Sequence, residues 1–416
     1  MIYYIPPINL LGRGCLAELK QPLSTMGCKK ALVVSDKFLM GNGTVKKVTD
    51  ILKGAGVDFV VYDEPKPNPT VKNVEDGYRI LTDEKCDLVV SIGGGSPQDC
   101  GKAIAVLATN GGNIKDYEGV NKTKNKSLPI IAITTTAGTS AEVTINYVIT
   151  DEERHVKMIM VDTNSLAAIT VNDPELMMSK PAPLTAATGM DALTHAIEAV
   201  VAKGAMDVTD CTALYAIKEI FDYLPRAYRN GNDVEARDHM ANASCMAGMA
   251  FANAFLGVNH SLAHKLGAFH HLPHGIANAL VLLHVLRYNA AEVPAKMGTF
   301  PQYQYPHTLA RYAEIGRSVG LTGKNDSEVF EKLLQKLQEL MDTIEIKHTI
   351  KEYGVDEKYF LETLDEMTEQ AFNDQCTGAN PRYPLMSELK EIYLKAYYGE
   401  GNIPESRKAK EKKEEK

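Results

Sequence analysis

Four compact apolar runs recur in the first third of the chain: KKALVVSD (29–36), VDFVVYD (57–63), CDLVVSIGGG (86–95) and LPIIAITTT (128–136). Each is followed by turn residues or the start of a helical pattern. No other feature restricts the fold so strongly, because this rhythm builds βαβ units and a largely parallel sheet. Two further β-rich stretches, HVKMIMVD (155–162) and LAAITVND (166–173), lead into the Pro-rich DPELMMSKPAP, and a domain boundary is expected at 174–183.

Beyond that boundary the pattern changes. PLTAATGMDALTHAIEAVVA, VTDCTALYAIKEIFDYLPRAY, EARDHMANASCMAGMAFANAFLG and SEVFEKLLQKLQELMDTI are long, Ala/Leu/Met-rich and apolar at helical spacing. The expected architecture is an α/β N-terminal domain (1–180) with a mostly parallel, Rossmann-like sheet. An all-α C-terminal domain (181–400) and a disordered charged tail (401–416) follow it. At 416 residues the chain is too long for one ordinary core.

Composition narrows the partners. A formal net charge of -8 advertises no broad basic surface for nucleic acid or anionic membrane, and the basic residues of SRKAKEKKEEK (406–416) are mixed with acids. The opening MIYYIPPINLLGRG has no basic leader and two prolines, and no window approaches the ~20 apolar residues of a bilayer span. Seven scattered cysteines without a C-x-x-C suit a reducing compartment, so a cytoplasmic protein is expected.

LVVSIGGGSPQD (88–99) runs an apolar strand into three glycines and then Pro97, which fits the first turn of a helix whose N-terminus attracts phosphate. It is not the G-x-G-x-x-G fingerprint, and a plain strand-to-helix turn would look similar. Asp36, at the end of the first run, suits an adenosine ribose hydroxyl and repels a 2′-phosphate; it also suits a helix cap. ITTTAGTSAEVT (133–144) adds hydroxyls at the same edge of the sheet. Together the three loops favour a dinucleotide, NAD rather than NADP.

The helical half carries the second constellation. GMDALTHAIEA (189–199) sets Asp191 and His195 at i and i+4, on one helix face. GVNHSLAHKLGAFHHLPHGIANAL (257–280) holds five of the eleven histidines, with His260 and His264 one turn apart and His274 fourteen residues after His260. One carboxylate and three imidazoles suit Zn²⁺ or Fe²⁺, and no cysteine points to a structural zinc. Spacing alone does not say which three histidines coordinate, and satisfied core histidines are the alternative.

GGGSPQD, TTTAGTSAEVT, ATGMDALTHAIEA, FANAFLGVNHSLAHKLG, LPHGIANAL and NDQCTGANPRYPLMSELKEIYLKAYYG, in this order, resemble the iron-containing (group III) alcohol dehydrogenase family across residues 1–400. The last of these, with RYNAAEVPAKMGTFPQYQYPHTLARYAEIG (287–316), is especially similar to the alcohol dehydrogenase half of bifunctional aldehyde–alcohol dehydrogenases, here as a stand-alone enzyme. The resemblance implies Asp191, His195, His260 and His274 as metal ligands, for Fe²⁺ or Zn²⁺, and His264 as a substrate-side histidine that helps move the proton. It implies NAD(H) contacts at Asp36, Asn68, Gly94, Gly95, Ser96, Asp99, Thr135, Thr136, Thr139, Thr144, Val148 and Lys157. Phe251 and Cys376 fall in its substrate pocket. His270 and His271 have no family role.

The implied activity is interconversion of small primary alcohols (ethanol, butanol or propanediol type) and aldehydes by hydride transfer, in a cleft between the domains of a homodimer or larger homo-oligomer. One motif departs from the family: T-A-G-T-G-S-E reads TAGTSAE at 136–142. If that glycine needs positive φ, Ser140 costs roughly 1 kcal/mol of local strain. A rival reading is an NAD- and metal-dependent lyase of the dehydroquinate synthase type. That chemistry needs a cationic pocket, and around the histidines only Lys265 is cationic. A structural relative that has lost its site would show a broken ligand set, and none of the four is missing here.

Overall fold

The computed structural model describes residues 2–154, 156–178, 180–291 and 307–404. Residues 292–306 of the 287–316 motif and 405–416 of the charged tail lie outside the described residues, as does His155. The strands are β1 (Ile8–Leu11), β2 (Lys30–Val34), β3 (Asp58–Tyr62), β4 (Leu88–Gly93), β5 (Gly119–Val120), β6 (Ile130–Thr134), β7 (Asn146–Asp151), β8 (Val156–Val161) and β9 (Ile169–Asn172). Six of them form one sheet in the order β1-β9-β6-β4-β2-β3, parallel throughout.

The central strands are apolar on both sides because both faces are covered. On β2, Leu32 and Val34 enter one core with Val89, Ala103 and Ile104, while Ala31 and Val33 enter another with Leu52, Val90 and Ile92. This is how a parallel sheet flanked by helices must be built. Three strands escape a reading based on apolar runs, among them the two-residue β5. β1 is four residues long, half exposed and paired only to β9 at the sheet edge. β7 alternates buried and half-buried residues and pairs antiparallel with β8. HVKMIMVD therefore belongs to a second, three-stranded sheet of order β5-β8-β7, and the Gly-rich loop follows the fourth strand of the chain.

The connection from β2 to β3 leads toward one edge, whereas β4, β6 and β9 step toward the other. The reversal opens a crevice beyond the carboxyl ends of β2 and β4, where open α/β sheets bind ligands. Asp36, the loop at Gly93–Ser96 and the loop at Thr135–Ala141 all leave the sheet on that side.

From Ala182 onward the described chain is helical, and one core extends from Ala186 to Tyr397. Helices Ala182–Val201, Asp207–Arg229, Val234–Ala254, Val258–His270 and His274–Ala290 bear on the histidine-rich region. Among the described residues no single helix is long and apolar enough to cross a membrane. Helix His274–Ala290 crosses helix Ala182–Val201 at Gly275, where an added Cβ would lie 1.8 Å from the Ala187 carbonyl oxygen and 3.2 Å from Asp191 Cβ. The obstruction is backbone, which yields poorly, so only glycine permits this approach. Gly275→Ala is expected to destabilise the fold by about 1–3 kcal/mol, as overpacking does, read as a lower urea midpoint; an unchanged midpoint would show that the helices part without cost.

Candidate metal centre and cofactor cleft

Asp191 and His195 project from one face of helix Ala182–Val201, His260 from helix Val258–His270 and His274 from the first turn of the next helix. One donor atom from each lies within 4.8 Å of all the others. Asp191 Oδ1 is 3.4 Å from His274 Nε2, 3.8 Å from His260 Nε2 and 3.9 Å from His195 Nε2. The Asp191, His195 and His260 side chains are nearly sealed, whereas the His274 side chain is 38% exposed. The cluster therefore opens on one side, beside His274 and the neighbouring His264.

Its electrostatics suit a cation. Burial pushes the Asp191 carboxyl up, but His195, His274 and His260 outweigh it and hold the group below the usual carboxylate range. Burial lowers His195 to about 3 and His274 well below its ordinary value, against the pull of Asp191. Those two rings stay neutral, with lone pairs to give. His260 behaves differently: burial lowers it, yet Glu198 and Asp191 raise it to about 9.

Two supporting residues were not singled out in the sequence. The buried Glu198 carboxylate bonds His260 Nδ1 and accepts from the Asn259 amide at 3.0 Å, which fixes the ring with Nε2 toward Asp191. Asn278 donates through Nδ2 to Asp191 Oδ1 at 2.8 Å and sits 3.1 Å from His260 Nε2. Its own carbonyl accepts from Asn259 Nδ2 at 3.1 Å. Helical spacing could have exposed both, since Glu198 is seven residues beyond Asp191 and Asn278 four beyond His274.

His264 stacks on His274 (centroids 5.5 Å apart) and meets His260 edge-on. Its Nδ1 lies 3.1 Å from Asp374 Oδ2, which also pairs with Lys265 at 3.0 Å. Burial raises the Asp374 carboxyl, but His264 and Lys265 win and hold it far down. Asp374 is 110 residues from His264 in sequence, beyond the reach of any spacing rule. Phe251 stacks on His195 (centroids 4.1 Å), and Cys376 groups with His264 and Asp374. His270 turns away to Thr363, Tyr359 and Phe360, while His271 is the left-handed residue (φ 55°) closing its helix.

On the sheet side, Asp36 caps the short helix Lys37–Gly41 by accepting from the Leu39 amide at 2.9 Å. The two readings of Asp36 are compatible, because a cap leaves the other carboxylate oxygen available. Asn68 is held left-handed (φ 58°), donates its amide to Ser96 Oγ at 3.2 Å and accepts from Lys157 at 2.8 Å. Asp99 shares this corner with Lys157 and the Val148 amide; burial lifts its carboxyl to about 7 against Lys102 and these two. Thr144, by contrast, spends its hydroxyl on the buried Lys102 ammonium at 3.0 Å. The Thr135 amide donates to the Gly93 carbonyl, tying the hydroxyl-rich loop to the glycine loop.

The loops fit a dinucleotide phosphate. A Cβ on Gly94 would meet Thr136 Oγ1 at 3.2 Å, and one on Gly95 would meet Thr139 Cγ2 at 3.3 Å. Both threonine hydroxyls are buried without a hydrogen-bond partner, beside the N-terminus of helix Gly95–Asn110. The departure at Ser140 does sit at positive φ (53°). Its hydroxyl lies 2.5 Å from the Ser244 carbonyl oxygen and 2.9 Å from Ser244 Oγ, on helix Val234–Ala254. One or two net hydrogen bonds, about 1 kcal/mol each, offset the strain. The serine thereby fastens the hydroxyl-rich loop to the helices.

The fold and the cluster together are those of metal-binding, dinucleotide-dependent enzymes, and the comparisons define the group. Residues 6–174 match the family model for iron-containing alcohol dehydrogenase, and residues 185–397 match its C-terminal counterpart. Alcohol dehydrogenase 4 of Schizosaccharomyces pombe is 43% identical, over 95% of this chain and 88% of its own. The NAD-dependent methanol dehydrogenase of Bacillus methanolicus is 41% identical, over 95% and 99%. The bifunctional aldehyde–alcohol dehydrogenase AdhE of Escherichia coli is also 41% identical, over 99% of this chain but only 48% of its own. The crystal structure of a 1,3-propanediol oxidoreductase superposes with a TM-score of 0.88 at 39% identity, covering 95% and 99%. This chain belongs to the iron-containing alcohol dehydrogenase family.

If Glu198 orients His260, Glu198→Ala should weaken metal affinity about 10–100-fold, the usual cost of losing such a partner. Competition with a chelator of known affinity measures it, and unchanged affinity would reduce Glu198 to packing.

Proposed function

We propose that this chain interconverts small primary alcohols and aldehydes, of the ethanol, butanol or propanediol type, using NAD(H) and a metal ion held by Asp191, His195, His260 and His274. The observation that carries this reading is the convergence of those four donors on one open side, next to His264. Residues 1–180 are assigned to the cofactor and 181–400 to metal and substrate; the two family models divide between 174 and 185. The neighbours of the cluster are Phe251, Cys376 and His264 with a single lysine already paired to Asp374. A small uncharged substrate suits them better than the anionic one of a lyase.

A bound divalent metal supplies Lewis acidity toward the alcohol oxygen, and a bound nicotinamide supplies the hydride acceptor. The residues do the rest. Asp191 and the three imidazoles hold the cation, with Glu198 and Asn278 keeping their donor atoms aimed. Phe251 keeps water off the His195 face. His264, steadied at Nδ1 by Asp374, offers its other nitrogen as the relay for the proton released from the alcohol. Asp36 favours an unphosphorylated ribose, while Asn68, Gly94, Gly95, Ser96, Asp99, Thr135, Thr136, Thr139, Thr144, Val148 and Lys157 frame the rest of the cofactor. Iron is assigned over zinc on the family's description. All seven cysteines are free, which suits a cytoplasmic setting, and fermentative use as a homodimer or larger homo-oligomer completes the proposal.

Two histidines one turn apart separate ligand from relay. His260→Ala should lose metal and turnover together. His264→Ala should retain most of its metal while kcat falls by about 10²–10⁴, the span of a lost proton-transfer group. Elemental analysis alongside kcat decides it, and an emptied site in His264→Ala with a full one in His260→Ala would reverse the roles.

A further inference from the structure

Among the described residues Lys180 is a cation outside any ion pair. It stands just ahead of helix Ala182–Val201, half-buried where the sheet meets the helices. Among the described residues its ammonium makes no hydrogen bond or ion pair; its contact is with the Phe38 ring, 5.8 Å from Nζ to the centroid. Phe38 lies two residues beyond Asp36. Burial pushes the Lys180 ammonium down, and Asp36 is the charge that pulls it back up.

A second cation stands nearby. Arg237 is buried and donates to Thr185 Oγ1, the Lys180 carbonyl and the Gly231 carbonyl, all of them neutral. Lys180, Arg237, Thr136 and Thr188 line one crevice between the cofactor loop and the first long helix. Lys180 therefore stands between the field of one carboxylate, Asp36, and that of a second cation, Arg237. Arg237 is pinned by its three acceptors. Lys180 is the movable one, a point charge on a flexible stem.

We propose that Lys180 is a phosphate-binding group that lets this enzyme use NADP(H) as a second cofactor beside NAD(H). Asp36 alone would repel the 2′-phosphate of NADP(H), which carries nearly two negative charges at neutral pH. An unpaired ammonium beside the helix that Asp36 caps offsets that repulsion and gives the phosphate a partner. NAD(H) remains the better cofactor because the carboxylate stays in place. The inference rests on Asp36 facing the adenosine ribose.

Isothermal titration of the intact protein with ADP-ribose and with 2′-phospho-ADP-ribose tests it without relying on turnover. ADP-ribose should bind more tightly to the parent. Lys180→Met should weaken the 2′-phosphorylated probe about tenfold more than ADP-ribose, the scale of one charge-assisted hydrogen bond. Lys180→Arg should restore most of the difference. The NADPH-to-NADH ratio of kcat/KM should fall in parallel in Lys180→Met. Equal weakening of both probes would overturn the proposal, placing Lys180 at the pyrophosphate or in the fold. Failure of ADP-ribose itself to bind the parent would overturn the cofactor reading, and this inference with it.

Discussion

A carboxylate sealed inside a helical core governs this molecule. Asp191 is 2% exposed, and an isolated buried charge costs several kcal/mol unless cationic or hydrogen-bonding partners surround it. Three imidazoles and the Asn278 amide face it, and two of those imidazoles are themselves held neutral by burial. The arrangement suits a cation. Much of the helical half serves it: Gly275 lets two helices touch at their backbones, Glu198 fixes His260, and Asn259 anchors Asn278.

A cluster assembled from three helices gains meaning only if a cofactor can be brought against it. The parallel sheet supplies that by collecting three loops at its carboxyl edge, beyond the reversal between β2 and β4. Ser140 then ties one of those loops directly to helix Val234–Ala254, the helix that carries Phe251 onto His195. A substitution that looked like a loss of backbone freedom is thus a bond between the two halves of the site.

What the sequence revealed follows from where the information lies. β2, β4 and β6 are buried on both faces, so they read as continuous apolar runs. β1 is an edge strand whose partner lies some 160 residues away, and β7 alternates too briefly to stand out. The Asp191–His195 pair is local and was legible from the helical period, as Glu198 would have been by extending the same face one turn. Asp374 reaches His264 only through the tertiary fold. Family resemblance, rather than spacing, singled out which three histidines join Asp191, and the geometry brings together those three. His270 belongs to the packing of helix Glu357–Phe372.

Metal content followed through unfolding tests the central claim most directly. The purified protein should carry one ion per chain. Exhaustive chelation, verified by elemental analysis, should abolish turnover and lower the melting temperature, because a ligand bound only to the native state adds about 2.7 kcal/mol at a hundredfold excess over its Kd. NADH should still bind, since its loops lie on the sheet. Full turnover by a protein shown to contain no metal, with an unchanged melting temperature, would contradict the scheme and leave Asp191 and its histidines as a polar seam between helices.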